Sequence, residues 1–416
     1  MRLGAEKRYI MLVSLVPLFD ENMAVKAYSI FTQKNNFLLN PLMLGTAYND
    51  GAPRIDGLEL LEMMGIETIS SDKNFFVTVT NTSIFLDIES VTKVPKNRLV
   101  LLMDNTIPPV EMYLNRIREL KEKGFKLAMR KLHVTEFEQY RSILEMMDYV
   151  FLNVKKISVE KIKLYFDKLL PNVIMCAGNI DSAETFDEIK SLGACQLFEG
   201  SFFTVPATLG QKDIAPLKAN YIDLLNIVNE DNYDLTKAAD IIGRDTALTI
   251  SLLKIVNKFA RNSEVTSIRH AAAMLGQREL KKWIRTAVVN ELYADKPNEI
   301  MRLSLIRAKF AENLAKNFDL AMKTDELFIM GLFSVLDVIL EKPMTEALTD
   351  VHVTKDVYEA LVNKNGKLAA VMNFIRQYET ANWSEVSRLM LLSKIDMKDV
   401  YNSYVDALVW YRKIYS

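Results

Sequence analysis

RLVLLMDNTIPPVEMYLNRIRELKEKGFKLAMRKL (98–132) is the stretch that decides the fold of the first half of the chain. It begins with an apolar run at 98–103, which predicts a buried strand. Between 109 and 123 the apolar residues return every three or four positions, as they do in an amphipathic helix. Gly124 is placed to end that helix, and a second apolar run follows at 125–130. The stretch is therefore a complete strand–helix–strand unit.

The same alternation of buried strand and helix continues on both sides of this unit. Apolar runs predict a first strand within 9–19 and later strands at 148–154, 172–178 and 195–200, with helical spacing between the later ones. Parallel strands that are buried on both faces and covered by helices fit a modified TIM-like (β/α)8 barrel. A doubly wound open sheet is the alternative, although no GxGxxG motif follows any of the strands.

The pattern changes after residue 206. The segment ATLGQKDIAP (207–216) has the glycine, proline and mixed charge of a linker, and beyond it the apolar spacing is helical throughout. The fold class predicted for the chain is α/β plus all-α. The α/β barrel domain is expected at 1–206 and the all-helical domain at 217–416.

Individual helices of the second half are marked by their ends. Asp234 and Asp245 stand at positions typical of N-caps, where a side-chain oxygen accepts a hydrogen bond from the first helical turn. Gly276 is expected to end one helix before the next begins. The apolar spacing between 325 and 340 predicts one continuous helix.

The composition limits the classes of function. The chain has 416 residues and a net charge of −1, without the basic excess that is typical of nucleic-acid binders. Its two cysteines, Cys176 and Cys195, lie in apolar runs and are expected to be free thiols in a reducing cytoplasm. The three histidines are far apart and form no metal-binding motif. No apolar run approaches the length of a membrane span, so no membrane association is expected.

Three stretches in the first half resemble EAL domains, a barrel family whose active members hydrolyse cyclic di-GMP. One is the helix-to-strand join ELKEKGFKLA (119–128). The others are AGNIDSAETFDEI (177–189) and LGACQLFEGSFFTVP (192–206), which follow in the order that the family has. The resemblance covers about residues 9–206, and it implies the barrel fold.

The resemblance also gives the positions where active EAL domains bind metal and substrate. Such enzymes hold divalent cations with acidic side chains at strand ends, and the metals activate a water. The corresponding positions in this chain are Ser29, Gln33, Thr78, Leu102, Arg130, Lys131, Phe151, Asn153, Gly178, Asp181 and Glu199. Only Asp181 and Glu199 are acidic, and the family's paired aspartates fall on Arg130 and Lys131, which would repel a metal. We therefore expect no metal, no cofactor and no hydrolysis.

Binding of cyclic di-GMP without hydrolysis stays open from the sequence. Arg130 and Lys131 are able to pair with phosphates. The favoured interpretation is that both cations project into solvent or pair with Asp181 or Glu199.

The helical half resembles the HDOD domain, a relative of the HD phosphohydrolases. The resemblance is carried by LTKAADIIGRDTALTISLLKIVNKFA (235–260), TSIRHAAAMLGQRELKKWI (266–284) and FIMGLFSVLDVILEKPM (328–344). The metal-binding His–Asp pair of HD enzymes falls on Ser334 and Val335, which implies that this chemistry is also lost.

Two features point to other partners. The spacing around Gly243 is that of a helix-turn-helix, in which Thr249 and Ser251 would face DNA, but the apolar second helix favours a core position instead. The C-terminal helix carries tyrosines, among them Tyr401 and Tyr404, at helical spacing. These predict internal packing or, alternatively, a homodimer or partner contact.

The function predicted from the sequence is that of a catalytically inactive bacterial signalling protein. It is expected to act through protein–protein contacts in the cyclic di-GMP-related class. The alternatives are an effector that binds cyclic di-GMP without cleaving it and, more remotely, a phosphodiesterase or a DNA-binding regulator.

Overall fold

A computed structural model gives the fold of most of the chain. The described residues are 11–33, 55–64, 66, 72–204, 216–230, 232–258, 265–292 and 298–415. The chain divides into two compact units. The first, which we call the barrel unit, comprises 1–205, 313–322 and 373–416. The second, the helical unit, comprises 206–312 and 323–372.

Eight strands form a closed barrel in the barrel unit. They are β1 Leu12–Phe19, β2 Val25–Gln33, β3 Asn74–Thr78, β4 Leu99–Met103, β5 Lys126–Met129, β6 Tyr149–Asn153, β7 Ile174–Ile180 and β8 Cys195–Gly200. Strands β2 to β8 pair in parallel, whereas β1 is antiparallel to both β2 and β8. The predicted modified (β/α)8 barrel is confirmed, and the open-sheet alternative is wrong.

Helices follow the strands of the barrel. Within the described residues they are α1 Asp56–Met64, α2 Ile88–Val91, α3 Glu111–Glu122, α4 Arg141–Leu144, α5 Val159–Leu169 and α6 Ala183–Ser191. Helix α3 buries Leu114, Ile117 and Leu120, the stripe that the sequence spacing predicted. It ends as expected before Gly124, whose φ of 85° lies in the left-handed region that favours glycine.

Apolar side chains fill the inside of the barrel. All eight strands contribute to one buried cluster, which contains Leu18, Ala27, Phe76, Val100, Leu102, Ala128, Phe151, Cys176 and Leu197. The rings of Phe76 and Phe151 meet edge to face with their centroids 5.4 Å apart. The barrel is therefore a packed core, and its polar side chains lie among these apolar ones.

The joint between β1 and β8 is short. Only Leu18 and Phe19 of β1 pair with β8. Nearer the start of β1, the backbone N–H of Val13 donates instead to the Tyr378 hydroxyl at 3.1 Å, and Ser14 Oγ donates to the carbonyl of Glu379 at 2.9 Å. C-terminal helices thus complete the edge of β1 that the barrel leaves open.

Three C-terminal helices contribute to this arrangement. They are α16 Gly366–Glu379, α17 Trp383–Ser393 and α18 Met397–Tyr415. Gln33, at the end of β2, donates from Nε2 to Ser387 Oγ of α17 at 2.9 Å. Tyr401 and Tyr404 of α18 are buried, as internal packing of the tyrosine stripe predicts. The sequence predicted one domain for all of 217–416, whereas 373–416 group with the barrel.

The other helices belong wholly or mostly to the helical unit. Among the described residues they are α7 Pro216–Asn229, α8 Leu235–Ile242, α9 Thr246–Asn257, α10 Ile268–Leu292, α11 Asn298–Leu314, α12 Thr324–Phe333, α13 Leu336–Leu340, α14 Met344–Ala347 and α15 Lys355–Tyr358. Asp234 and Asp245 are N-caps as predicted, accepting from the N–H groups of Thr236 and Leu248. Gly276 breaks α10 with a φ of 72°.

One predicted helix is divided. The spacing over 325–340 predicted a continuous helix, but Ser334 ends α12 and α13 starts only after Val335. Gly331 lies so close to α11 that a Cβ on it would come within 2.5 Å of Ala308 Cα. Helices α11 and α12 therefore cross closely near the last turn of α12. The spacing of apolar residues in the sequence gives no information about such a close approach.

Tyr378→Phe tests the role of the C-terminal helices in the barrel unit. Tyr378 is fully buried, and the substitution removes the hydroxyl that accepts from the Val13 N–H. We expect the free energy of unfolding to fall by about 1–3 kcal/mol. Urea unfolding followed by tryptophan fluorescence measures this, since the ring of Trp383 lies 5.4 Å from that of Tyr378. Tyr113→Phe, on the outer helix α3, should change the stability by less than about 0.5 kcal/mol. Equal effects of the two variants would contradict the proposed role.

Candidate functional site in the barrel

Three of the predicted positions meet at Glu199. Its Oε2 accepts a hydrogen bond from Ser29 Oγ at 3.3 Å, and its Oε1 accepts one from Arg130 Nη2 at 3.2 Å. Ser29 lies on β2, Arg130 directly follows β5 and Glu199 lies on β8. Side chains alternate along a strand, so Ser29 and Glu199 share the inward face with Ala27 and Leu197 of the apolar cluster. The ion pair therefore lies at the edge of the packed interior.

Arg130 is clamped between aromatic rings. Its guanidinium carbon is 4.6 Å from the centroid of the Phe31 ring and 5.4 Å from that of Phe151. Both distances are in the range of a cation–π contact. The side chain is only 17% exposed, and its Nη1 has no hydrogen-bond partner among the described residues. The pair is thus largely removed from water.

Lys131 is not in this pocket, although it adjoins Arg130 in sequence. Its φ of 62° is left-handed, and its Nζ bonds to Asp104 Oδ2 at 2.8 Å. Asp104 directly follows β4 and also accepts from Thr106 Oγ1 at 2.6 Å. Burial alone would raise the pKa of Asp104, but the hydrogen bonds from Lys131 and Thr106 outweigh it and hold the pKa below its ordinary value. Asp104 was not predicted from the sequence, and its position just after a buried strand was the available signal.

The remaining positions are dispersed. Leu102 and Phe151 belong to the apolar cluster, and a Cβ on Gly178 would be 3.8 Å from Glu199 Oε1. Gln33 is engaged by Ser387 of α17.

Two positions lie around Lys155 instead of Glu199. The side chain of Asn153 accepts from the Lys155 N–H at 3.1 Å, and Asp181 pairs with Lys155 Nζ at 2.7 Å. Thr78 ends β3 beside Leu102. Of the two acids predicted for the site, only Glu199 is in the pocket, and pairing of Arg130 with Glu199 is one of the arrangements that the sequence left open.

The side chains present do not suit a divalent metal. Hard cations such as Mg²⁺ need several oxygen ligands. The described part of the chain contains no group of three or more His, Cys, Asp or Glu residues that is able to hold a metal ion. In the pocket, the carboxylate of Glu199 is already bound by Arg130 and Ser29.

The two cysteines are free and buried, as expected from the sequence. Burial raises the pKa of the Cys176 thiol well above its ordinary value, and the neighbouring Cys195 and Glu199 add to the shift. Burial also raises the pKa of Cys195 to about 12. Both thiols stay protonated at neutral pH and are poor nucleophiles.

In the helical unit, the positions that correspond to an HD pair make structural contacts. Ser334 Oγ donates to the carbonyl of Gly331 at 2.7 Å and accepts from Nη1 of the buried Arg307 at 3.1 Å. Val335 is buried, and the Asp337 side chain accepts from the N–H of Val338 at 2.9 Å. These bonds hold the ends of α12 and α13 in place. In the part of the chain that the structure covers, no helix is long and apolar enough to cross a membrane.

Comparison with known proteins identifies one domain family and several relatives. Residues 214–357 match the HDOD domain family, so the chain contains an HDOD domain. The chain is 25% identical over 410 residues to the uncharacterized protein YuxH of Bacillus subtilis (strain 168), covering 96% of this chain and 97% of that one. It is 24% identical over 326 residues to the cyclic di-GMP phosphodiesterase CdgJ of Vibrio cholerae, covering 77% of this chain and 74% of that one.

The structural neighbours include EAL-domain proteins. The manganese and cyclic di-GMP complex of Klebsiella pneumoniae BlrP1 matches with a TM-score of 0.37 at 12% identity, over 49% of this chain and 57% of that one. The Bacillus subtilis YkuI protein, which has an EAL domain, matches with a TM-score of 0.35 at 13% identity, over 66% of this chain and 74% of that one. The EAL-like protein YdiV matches with a TM-score of 0.37 at 14% identity, over 46% of this chain and 90% of that one.

Arg130→Met tests whether the ion pair is structural. The substitution leaves Glu199 buried without its cation, and we expect a loss of about 3–5 kcal/mol in the free energy of unfolding. The double variant Arg130→Met/Glu199→Leu should recover most of that loss, because it removes both charges. Chemical denaturation of the parent, both single variants and the double variant measures the coupling. Lys155→Met is the control: it breaks the exposed pair with Asp181 and should cost less than about 1 kcal/mol. If Arg130→Met lowered the free energy of unfolding no more than this control does, the buried pair would contribute little to the stability of the fold.

Lys131→Met tests the ion pair with Asp104 through its pH dependence. The lowered pKa of Asp104 means that the pair stabilises the fold at neutral pH, and this contribution is lost as the pH falls through the folded-state pKa. The free energy of unfolding of the parent should exceed that of the variant by at most about 1 kcal/mol at neutral pH, since the Lys131 side chain is 64% exposed. The difference should shrink in acid, as measured by denaturation at a series of pH values. A difference that does not depend on pH would mean that the pair is not its source.

Proposed function

We propose that this protein is a regulator in cyclic di-GMP-related signalling whose barrel does not hydrolyse the dinucleotide. Its similarity along the chain to a cyclic di-GMP phosphodiesterase and its HDOD domain support the signalling class. It acts through contacts with other proteins. Its location in the cytoplasm and its assembly into a homodimer stay predictions.

One observation supports the absence of hydrolysis: the carboxylate of Glu199 is already paired with the guanidinium of Arg130. Metal-assisted cleavage of a phosphodiester needs cations that activate the attacking water. The Arg130 guanidinium stands beside Glu199, the acid that would have to hold such a cation. At about 4 Å and an effective dielectric constant of about 20, a divalent cation and a guanidinium repel each other by about 8 kcal/mol. With Arg130 beside it, the Glu199 carboxylate leaves no net negative charge to attract the cation, and one carboxylate is fewer than the several oxygen ligands that such a cation needs.

A second function, sensing of cyclic di-GMP without cleavage, has one observation in its favour. Arg130 Nη1 is buried and has no hydrogen-bond partner among the described residues, so it is a donor suited to a phosphate oxygen. The aromatic rings of Phe31 and Phe151 lie over the same guanidinium and oppose this use. We therefore favour action through contacts with other proteins, which we call the scaffold function, over sensing of the dinucleotide.

The experiment is incubation of the full chain with cyclic di-GMP and Mg²⁺ or Mn²⁺, followed by chromatography for the linear product. We expect no product above the background of the Glu199→Ala variant, while a phosphodiesterase run in parallel shows that the assay works. Product that forms with the parent protein and disappears with Glu199→Ala would overturn the proposal.

Calorimetric titration with cyclic di-GMP separates the two non-hydrolytic functions. The scaffold function predicts no heat of binding. Binding without product, weakened at least tenfold by Arg130→Ala, would replace the scaffold by a nucleotide sensor.

A further inference from the structure

Helix α9 presents an apolar surface with a basic margin on the helical unit. Ile250 is 48% exposed, which is high for an isoleucine in a helix whose other face is core. Together with Leu253, Lys254, Asn257 and Lys258 it lines an open groove of about 420 Å³. The volume is within the range of about 300–1,000 Å³ that is common for binding sites. We call these five residues the α9 groove.

The two lysines of the α9 groove have no acidic partner among the described residues. Many lysines of this protein are paired, for example Lys121 with Asp148 and Lys155 with Asp181. Lys254 and Lys258 are both exposed and four residues apart, so they stand one above the other on the same face of the helix. The groove therefore combines an apolar floor with two lysines that form no ion pair with any described residue.

The groove is held in shape from both ends of α9. At the C-terminal end, Asn257 donates from Nδ2 to the carbonyl of Val265 at 3.0 Å and accepts from the N–H of Val265 at 2.7 Å. At the N-terminal end, Asp245 caps the helix and accepts from the Tyr221 hydroxyl at 2.6 Å. An occupant would meet a preformed surface, which lowers the entropic cost of binding.

Two of the polar side chains on α9, those of Thr249 and Asn257, are used for contacts within the fold. Thr249 Oγ1 donates to the carbonyl of Ile242 at 3.1 Å and so ties α9 to α8. Both hydrogen-bonding sides of the Asn257 amide are taken by Val265. The surface offers apolar contact and point charges, with little capacity to distinguish base edges.

We propose that the α9 groove binds an acidic amphipathic helix of a partner protein. Leucine-type side chains of that helix cover Ile250 and Leu253, and carboxylates four residues apart along it match the spacing of Lys254 and Lys258. This inference rests on the proposed function, in which the protein acts through protein contacts, and it names the surface and the chemistry of the partner.

The test is fluorescence anisotropy with the full chain and a small panel of labelled synthetic helical peptides. Each peptide carries leucines along one face and glutamates four residues apart beside them, and the panel varies the register between the two. We expect saturable binding by at least one peptide, weakened at least tenfold by Lys254→Glu/Lys258→Glu and by Ile250→Ser. The same peptide with lysines in place of its glutamates should not bind.

Helix α5 provides a matched control. It carries the exposed lysines Lys161 and Lys168 around Leu164, which is 66% exposed. Lys161→Glu/Lys168→Glu changes the net charge by the same amount and should leave peptide binding unchanged. An equal loss with this variant would mean non-specific charge attraction and would overturn the proposal.

Two other results would also overturn it. One is the absence of saturable binding by every peptide of the panel. The other is displacement of the bound peptide by duplex DNA that itself binds through Lys254 and Lys258, since the groove would then be a nucleic-acid surface. Hydrolysis of cyclic di-GMP by the same preparation would contradict the proposed function and leave the peptide result intact, so the two failures are distinguishable.

Discussion

The ion pair between Arg130 and Glu199 is the constraint around which the barrel pocket is arranged. A charge inside an apolar interior is tolerated only when an opposite charge and hydrogen bonds accompany it. Ser29 supplies a hydrogen bond to Glu199, and Phe31 and Phe151 lie against the guanidinium. The pocket therefore holds a neutralised pair, where metal-dependent hydrolysis would need several uncompensated carboxylates.

The closure of the barrel depends on chain segments that are remote in sequence. Because β1 runs antiparallel and shares only two residue pairs with β8, part of its edge has no strand beside it within the described segments. The Tyr378 hydroxyl and the Glu379 carbonyl accept hydrogen bonds there instead. An exposed strand edge invites association with other chains, and these contacts cover part of that edge. These bonds are among the contacts that join residues 373–416 to the barrel, although the segment follows the HDOD domain in sequence.

Sequence periodicity predicted the barrel well, because buried strands and amphipathic helices leave local signals. Gly124 and Gly276 fall at the predicted helix ends for the same reason, since a positive φ favours glycine. The pairing of the C-terminal helices with β1 left no local signal, because a hydrogen bond from Val13 to Tyr378 depends on a contact between distant segments. The helix divides at Ser334, whose hydroxyl accepts a hydrogen bond from the buried Arg307, and this contact between separate helices is likewise a tertiary effect.

The candidate site was predicted in part. Pairing of Arg130 with Glu199 was among the expected arrangements, but the separation of Arg130 from Lys131 was not, because it follows from the left-handed backbone at Lys131 and the carboxylate of Asp104. The most direct test of the neutralised pocket is a titration of the full chain with Mn²⁺, followed by electron paramagnetic resonance of the free ion. We predict no saturable site that depends on Glu199. A saturable Mn²⁺ site that Glu199→Gln abolishes would contradict the neutralised pocket.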